Sequence, residues 1–196
     1  MGFLTDKCRF QLLTRDLLDS CKPFVCGNPD LDDFFMNDAV RFYNQRLGKS
    51  YCYVWDEDPS VIVSAFTVAN DSLRVDDIPG SRKKKVNEAI PWEKHLKRYP
   101  AILIGRLGVN AQFADMGIGS ELMDIIKIWF SRPDNKAAIR FLAVDSYKFP
   151  RQLHFYEKNN FKFLFSTEEQ EADNSGLNCP LGTRYMFYDL MDFANE

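Results

Sequence analysis

The stretch that most constrains the fold spans residues 101–130, AILIGRLGVNAQFADMGIGSELMDIIKIWF. Residues 101–109 form a mostly apolar run, which is typical of a buried strand. Apolar residues then recur at i, i+3, i+4, i+7 and i+8, which predicts one wide apolar face of a helix: Leu122, Ile125, Ile126, Trp129 and Phe130. Pro133 marks the end of that helix. The stretch therefore predicts a strand, a loop and a helix in immediate succession.

Two glycines, Gly117 and Gly119, lie between the strand and the helix. Glycines at such a place let backbone N–H groups face a ligand without a side chain in the way. The first turn of a helix adds unpaired donors and a partial positive charge. We therefore expect a site for a phosphorylated cofactor, with an ordinary strand-to-helix turn as the alternative. The spacing is not G-x-G-x-x-G, because Leu122 stands at the last position, and the lysine of a P-loop is missing.

The composition favours one packed globular domain over residues 1–196, since 45% of the chain is hydrophobic and 14% is aromatic. We see neither a signal peptide nor an apolar run that would cross a membrane, so we expect no membrane partner. Five scattered cysteines and two histidines predict neither a disulfide framework nor a metal site. A reducing cytoplasm is the compartment that fits this cysteine usage.

The charge is unevenly distributed along the chain. A net charge of −3 argues against nucleic-acid binding by the protein as a whole. Residues 81–100 nevertheless hold seven cations against Glu88 and Glu93, and seven minus two gives +5. We call the cations the basic patch: Arg82, Lys83, Lys84, Lys85, Lys94, Lys97 and Arg98. Such a patch can gather phosphate or an acidic partner, and a solvated loop is the alternative.

The first half of the chain predicts helices and a hairpin. A strand and a short helix are expected within residues 9–18. A longer helix is expected to begin at Asn28, which would cap it ahead of Pro29, and to end at Gly48. Strands over residues 50–55 and 61–68 would form the hairpin. A short strand over residues 72–75 and a short helix within residues 87–97 would precede the central strand.

The second half predicts alternating strands and helices. We expect a strand over residues 139–144 beside the strand of residues 101–109, a polar loop over residues 145–150 and a helix over residues 151–159. A strand over residues 161–165, a polar loop over residues 167–179 and a strand over residues 183–190 follow. The predicted class is α/β (α+β), a mixed central sheet of six to seven strands with helices on both faces.

Two motifs resemble the GNAT N-acetyltransferases. The glycine loop resembles motif A of that family, Gln/Arg-x-x-Gly-x-Gly/Ala, with Gly117 and Gly119 at the small positions. Ala114 stands at the Gln/Arg position, and Gln112 lies two residues earlier. The segment FYEKNNF, residues 155–161, resembles the family's Phe-Tyr-x-Lys-x-Gly-Phe. Its Asn160 replaces the glycine and is the next best residue for a left-handed helix end.

Two further segments resemble one GNAT subgroup, which includes toxins of toxin–antitoxin pairs. FVCGNPDLDDFF, residues 24–35, followed by Ala39, is similar to that subgroup's Phe-x-Cys-Gly-x-x-x-Leu-Asp-x-Phe-Leu stretch. GRLGV, residues 105–109, is similar to its Gly-Arg-Leu-Ala-Val strand. Those toxins acetylate the α-amine of aminoacyl-tRNA. The resemblance extends over roughly residues 24–188.

The resemblance implies the GNAT fold and an acetyl group that passes from acetyl-CoA to a primary amine by direct attack in a ternary complex. The backbone of Leu107, Gly108 and Val109 would hold the pantetheine and the acetyl carbonyl. The pyrophosphate would lie on the glycine loop, which we define as Met116, Gly117, Ile118, Gly119 and Ser120. Charged tRNA is the acceptor in the toxin-like reading, and an antitoxin and a homodimer are the partners that the subgroup suggests.

Tyr156 is the residue that the resemblance offers as general acid. A phenol with a pKa of roughly 10 can protonate the departing thiolate of CoA, since a thiol titrates at roughly 8.5. The alternative is an aromatic residue in a helix–sheet core. No general base is assigned.

Other readings of the sequence stay open. The acceptor is a small-molecule or protein amine in the second enzymatic reading. In a hypothesis of another functional class, the chain is a non-catalytic module that binds CoA or a partner. Ala114 at the family's Gln/Arg position is the feature that favours this hypothesis. Cys26 and Cys52 are poor candidates for a nucleophile, because neither His95 nor His154 lies in a recognisable triad setting.

Overall fold

The computed structural model describes residues 2–74, 80–87, 90 and 96–193. Its strands are β1 (Cys8–Leu12), β2 (Lys49–Trp55), β3 (Ile62–Arg74), β4 (Arg98–Val109), β5 (Phe141–Tyr147), β6 (Lys162–Phe163) and β7 (Thr183–Asp189). They form one sheet in the order β1-β2-β3-β4-β5-β7-β6. The β1–β2, β2–β3, β5–β7 and β6–β7 pairs are antiparallel, and the β4–β5 pair is parallel. The predicted mixed sheet flanked by helices is confirmed.

The helices are short apart from one. They are α1 (Phe3–Lys7), α2 (Arg15–Ser20), α3 (Pro29–Asp33), α4 (Ala39–Asn44), α5 (Gly80–Asn87), α6 (Ile118–Ser131), α7 (Pro150–Lys158), α8 (Glu168–Ser175) and α9 (Leu190–Phe193). A π-helical turn, Phe34–Asp38, joins α3 to α4, and a 3₁₀ turn covers Ala111–Phe113. Within the described ranges, we find no helix with the length and apolar character needed to cross a membrane.

The chain divides into two compact units, Met1–Ala69 with Ile104–Ile126 and Asn70–Leu103 with Lys127–Glu196. The first unit has a core in which the sheet residues Cys52 and Ile62 pack with Phe24 and Phe35. The core of the second unit gathers aromatic residues of three elements, with Tyr99, Phe141 and Phe187 among them. The predicted neighbours, β4 and β5, pair from Ala101↔Phe141 to Leu103↔Ala143, which lies within the second unit.

The longer helix, predicted to run from Asn28 to Gly48, is interrupted by the π-helical turn and ends early. Asn28 caps it as predicted, accepting from the backbone N–H groups of Asp30 at 3.0 Å and Leu31 at 3.4 Å. The chain leaves the helix after Asn44, where Arg46 takes a left-handed φ of 58°. Gly48 therefore does not end the helix. It allows a close approach to β3, because a Cβ there would lie 3.1 Å from the carbonyl oxygen of Val68.

Three predictions for the second unit are wrong in detail. Residues 145–147 continue β5, because the β7 strand pairs with them up to Tyr147↔Thr183. The polar loop of residues 167–179 contains α8, which Thr167 caps by accepting from the N–H of Gln170 and which ends at Gly176, φ 65°. The strand of residues 161–165 shortens to β6, since the buried Phe161 and Phe165 flank it outside the ladder.

The region before β4 also differs. The predicted strand of residues 72–75 is the end of the long β3, which runs to Arg74, and Val75 lies outside the described residues. The predicted helix within residues 87–97 falls mostly outside them as well. The helix that is described there, α5, ends at Asn87.

Candidate functional site

The end of β4 packs against the segment that carries the front motif. A Cβ at Gly108 would lie 3.2 Å from the Cβ and Sγ of Cys26 and 3.3 Å from the ring of Phe24. A side chain at this position would press against Cys26 and Phe24, so glycine allows the segment to lie this close to the strand. The two sequence motifs of the toxin-like subgroup, residues 24–35 and 105–109, are thus brought together in the first unit. The described pairing of β4 with β5 ends at Leu103, although β4 continues to Val109.

The loop after β4 is anchored at its base. The N–H of Asn110 donates to the carbonyl of Val63 at 2.8 Å, and its side-chain Nδ2 donates to Ile62 at 3.0 Å. The N–H of Ala111 donates to Val25 at 2.8 Å. Phe113 is buried beside the rings of Phe3 and Trp55, with centroid distances of 5.5 and 5.4 Å. These contacts fix the entry to the glycine loop.

Four backbone donors of the glycine loop are unused within the described ranges of the chain. The backbone N–H groups of Met116, Gly117, Ile118 and Gly119 donate to no other described residue. Gly117 has a φ of 77°, a left-handed conformation that glycine adopts without strain, and a Cβ there would meet only open space. Asp115 also has a positive φ, 61°. Successive unpaired N–H groups beside open space are the arrangement that binds an oxyanion.

The helix that follows strengthens this arrangement. The carbonyl of Gly117 accepts from the N–H groups of Ser120 and Glu121, each at 3.1 Å, so the last three residues of the loop already form the first turn of α6. Ile118, Leu122 and Ile126 are buried, which holds the helix in place. With 14 residues, α6 is long enough for its aligned peptide dipoles to give the N-terminus a partial positive charge.

A carboxylate in the first turn of α6 is held by the N-terminal helix. Oε1 of Glu121 accepts from the backbone N–H groups of Leu4 at 2.9 Å and Thr5 at 3.2 Å, at the start of α1. A free carboxylate here would compete with a phosphate for the helix N-terminus. The sequence analysis did not find this contact. The acidic residue in the first turn of α6 was the available signal, but nothing indicated its partner.

Tyr156 lies on α7 in the second unit, where the end of the helix fixes its backbone. Asn160 has a φ of 65°, as its replacement of the family glycine predicted. The carbonyl of Tyr156 accepts from Phe161 N–H at 3.0 Å, and Asn159 Nδ2 donates to the carbonyl of Phe155 at 2.7 Å. These hydrogen bonds fix the backbone that carries the tyrosine without help from a ligand.

The environment of the Tyr156 ring is aromatic. Phe155 and Phe161 meet it edge to face, with centroid distances of 5.1 and 5.5 Å. Removal of the half-buried phenol from water raises the pKa of Tyr156 to about 12. The phenol therefore keeps its proton at neutral pH, which is the state that a general acid needs. The aromatic packing equally suits a core residue, the structural alternative.

The two candidate cysteines are poorly suited to nucleophilic attack. Burial raises the pKa of Cys26 to about 11 and that of Cys52 to about 12. Both are therefore thiols rather than thiolates at neutral pH, and the thiolate is the nucleophile. His154 is exposed on α7, and His95 lies outside the described residues.

The basic patch belongs to the second unit. The backbone of Arg82, Lys83, Lys84 and Lys85 lies in α5, with the side chain of Lys83 half-buried and that of Lys84 exposed. Lys97 and Arg98 are exposed at the start of β4. Val86 of α5 and Tyr99 of β4 share one core cluster, which links the two elements. Lys94 lies outside the described residues.

Comparison with solved structures identifies the fold. No family model matches the chain. A structure described as AtaT complexed with acetyl-methionyl-tRNAfMet superposes with a TM-score of 0.71 at 16% identity, over 96% of this chain and 98% of that chain. The chain has the GNAT fold.

Two further neighbours extend over the same length. A tyrosine-to-phenylalanine mutant of KacT superposes with a TM-score of 0.66 at 14% identity, over 97% of this chain and 99% of that chain. AtaTR bound with AcCoA gives a TM-score of 0.61 at 15% identity, over 97% and 98%. The GNAT fold therefore accounts for nearly the whole chain, as the resemblance implied.

Proposed function

We propose that this chain is an acetyl-CoA-dependent N-acetyltransferase that acetylates a primary amine by direct attack in a ternary complex. The observation that carries the proposal is the row of N–H groups on Met116, Gly117, Ile118 and Gly119, which have no partner in the described part of the chain and lie at the N-terminus of a 14-residue helix. The two negatively charged phosphates of a pyrophosphate complement such a row. Neighbours that include AtaTR bound with AcCoA support this choice of ligand.

The chain's own residues would divide the work. The glycine loop, with Ser120 as its last residue, would hold the pyrophosphate. The backbone of Leu107, Gly108 and Val109 would hold the pantetheine and the acetyl carbonyl. Tyr156 would donate its proton to the sulfur of CoA as the thiolate leaves, and the acceptor amine would lose a proton to water. Holding acetyl-CoA and the amine close together in the reactive orientation would lower the barrier by roughly 7 to 11 kcal/mol.

The acceptor is the α-amine of aminoacyl-tRNA in the form of the proposal that we favour. A complex of AtaT with acetyl-methionyl-tRNAfMet among the neighbours supports it, as does the basic patch. An antitoxin is the partner that this reading brings with it, since one neighbour is an AtaT mutant bound to the C-terminus of the antitoxin AtaR. The cytoplasm is the compartment where such a substrate occurs, and a homodimer stays a prediction.

Calorimetric titration of the purified chain with acetyl-CoA and with CoA tests the cofactor. Saturable binding of both is the expected result. Absence of binding at millimolar concentrations would contradict the proposal. It would favour the non-catalytic alternative, a partner-binding module in which the glycine loop is an ordinary turn. Ala114, which is exposed and in an extended conformation, is the feature that favours that module.

Reversing three charges of the basic patch, Lys83→Glu with Lys84→Glu and Lys85→Glu, tests the acceptor. We expect transfer to charged tRNA to be abolished and its salt dependence to flatten, because phosphate contacts release counterions. Acetyl-CoA binding should persist in the same variant. Unchanged transfer to tRNA would assign the acceptor to a small-molecule or protein amine.

A further inference from the structure

Arg106, next to the proposed acyl-binding backbone, has an exposed guanidinium with a fixed orientation. The guanidinium carbon of Arg106 lies 5.0 Å from the ring centroid of Phe34, and Nη1 donates to the carbonyl of Gly105 at 2.7 Å. The side chain is exposed. Stacking on a ring face fixes the plane of a guanidinium and leaves its edge donors directed outward. These two contacts orient the guanidinium but leave its positive charge without a carboxylate partner among the described residues.

Carboxylates near Phe34 in sequence are engaged elsewhere. Asp32 accepts from the N–H of Cys26 at 2.7 Å, and Asp33 accepts from Asn37 Nδ2 at 2.7 Å. Asp38 lies 3.6 Å from the guanidinium of Arg41. In the described part of the chain, Arg106 forms no ion pair. Its charge is therefore available to an anion from outside.

The ring under Arg106 belongs to an irregular helical turn. The N–H of Ala39 donates to the carbonyl of Phe34, the i-to-i+5 bond of a π turn, and such turns occur frequently at functional sites. Past this turn, the ring of Phe42 meets that of Phe34 edge to face at 5.8 Å. Phe42 is 38% exposed, so its ring is available for stacking. An arginine next to an exposed aromatic ring is a combination that binds single-stranded nucleic acid.

We propose that Arg106, Phe34 and Phe42 bind the single-stranded 3′ end of a charged tRNA, with Arg106 on a backbone phosphate and Phe42 stacked on a base. The proposal rests on the proposed N-acetyltransferase function and extends it to the acceptor. Arg106 directly precedes Leu107, where the proposed acyl-binding backbone begins. The reacting α-amine is carried by the terminal nucleotide, so its nearest phosphates must lie close to the acyl group.

The test compares two acceptors that carry the same amino acid, an aminoacyl-tRNA and the phosphate-free aminoacyl-adenosine. In Arg106→Gln, the ratio of kcat/KM for the tRNA to kcat/KM for the nucleoside should fall about tenfold to a hundredfold, the effect of one lost charge-assisted contact. The slope of log kcat/KM against log salt for the tRNA should become smaller by about 0.7, the value for one phosphate of a single strand. Arg106→Lys should restore part of the ratio.

Two further variants complete the comparison. Phe42→Leu should lower kcat/KM for the tRNA by about fivefold or more, because a stacked base is lost. Arg41→Gln is the matched control, since Arg41 is also exposed on this part of the chain but is paired with Asp38. It should leave the ratio within twofold. Unfolding temperature and calorimetric acetyl-CoA binding show whether each variant is folded.

The outcomes separate this inference from the function on which it rests. An equal loss for both acceptors in Arg106→Gln would overturn the phosphate contact while leaving the N-acetyltransferase intact. Transfer only to peptide or small-molecule amines would do the same. If the wild type binds no acetyl-CoA, the proposed function fails, and equilibrium binding of aminoacyl-tRNA to wild type and Arg106→Gln then decides the inference. Equal affinities would overturn it.

Discussion

The start of α6 and the end of α7 each have a residue in the left-handed conformation beside them, but their backbone polar groups differ in whether they are hydrogen-bonded. Each places a residue in the left-handed conformation, Gly117 before α6 with a φ of 77° and Asn160 after α7 with a φ of 65°. At the start of α6, the four successive N–H groups of residues 116–119 donate to none of the residues that the structure describes. At the end of α7, the carbonyls of residues 155–157 are all taken, by Asn159, Asn160 and Phe161.

The difference shows how a helix end becomes a site. Every helix has unpaired donors at its start and unpaired acceptors at its end. The α7 end is closed by its own chain, which fixes the backbone that carries Tyr156. The α6 start is left open among the described residues, and Glu121, the acidic residue of its first turn, is held by α1. The open end suits a ligand, and the closed end suits a residue that must keep one orientation.

Tyr156→Phe tests the closed end and should have the largest effect. Loss of a general acid should lower kcat by about 10²- to 10⁴-fold, while acetyl-CoA affinity stays nearly unchanged. Steady-state kinetics and calorimetry on the same preparation measure the two quantities. Tyr147→Phe, at the end of β5 in the same unit, is the matched control and should retain activity. Equal losses of turnover and affinity would count against the acid role.

The pH profile sharpens the same assignment. The pKa of Tyr156 is raised to about 12, so its protonated form persists while the pH rises through the ordinary value of about 10. Wild-type kcat should therefore show no descending limb between about pH 8 and pH 10. A descending limb near pH 10 that disappears in Tyr156→Phe would mean that the phenol is not desolvated when substrates are bound.

Gly117→Val tests the open end. A β-branched residue resists a φ of 77°, so the loop should shift and its N–H groups should lose their common direction. We expect acetyl-CoA affinity to fall about a hundredfold, as the loss of one or two charge-assisted hydrogen bonds would cause. Calorimetric titration measures the affinity.

Gly176→Val is the control for backbone strain alone. Gly176 has a φ of 65° at the end of α8, and a Cβ there would also meet open space. Both glycine variants should lose similar stability, about 1–2 kcal/mol, in denaturant unfolding. Only Gly117→Val should lose the ligand. Similar affinities in the two variants would mean that the glycine loop is an ordinary turn.

The sequence predicted this open end because its signals are local. The apolar run of residues 101–109, the glycines and the helical spacing that begins at Leu122 lie within 30 consecutive residues, and β4 and α6 formed where they indicated. Asn160 was equally predictable, since few residues other than glycine tolerate its conformation. Asn28 and Pro29 marked the start of α3 for the same reason.

The parts that the sequence missed depend on distant contacts. β5 extends through the polar Asp145 and Ser146 because β7 pairs with them, about 40 residues later in the chain. The contact of Glu121 with α1 joins residues 117 positions apart. The stacking of Arg106 on Phe34 needs both β4 and the π turn. α8 was different, because Thr167 and Gln170 form a recognisable cap within a segment that its acidic composition suggested to be a loop.

Asn160→Val and Asn160→Gly give the smallest expected effect and compare the two ends most directly. Valine should lower the free energy of unfolding by about 1–2 kcal/mol, because a β-branched residue is strained at a φ of 65°. Glycine should leave it within about 0.5 kcal/mol or raise it slightly. Denaturant unfolding measures both. Acetyl-CoA affinity should not change in either variant, in contrast to Gly117→Val, because the carbonyls at this end are satisfied by the chain itself. A loss of affinity in Asn160→Val without a loss of stability would contradict the division between an end that binds a ligand and an end that holds a side chain.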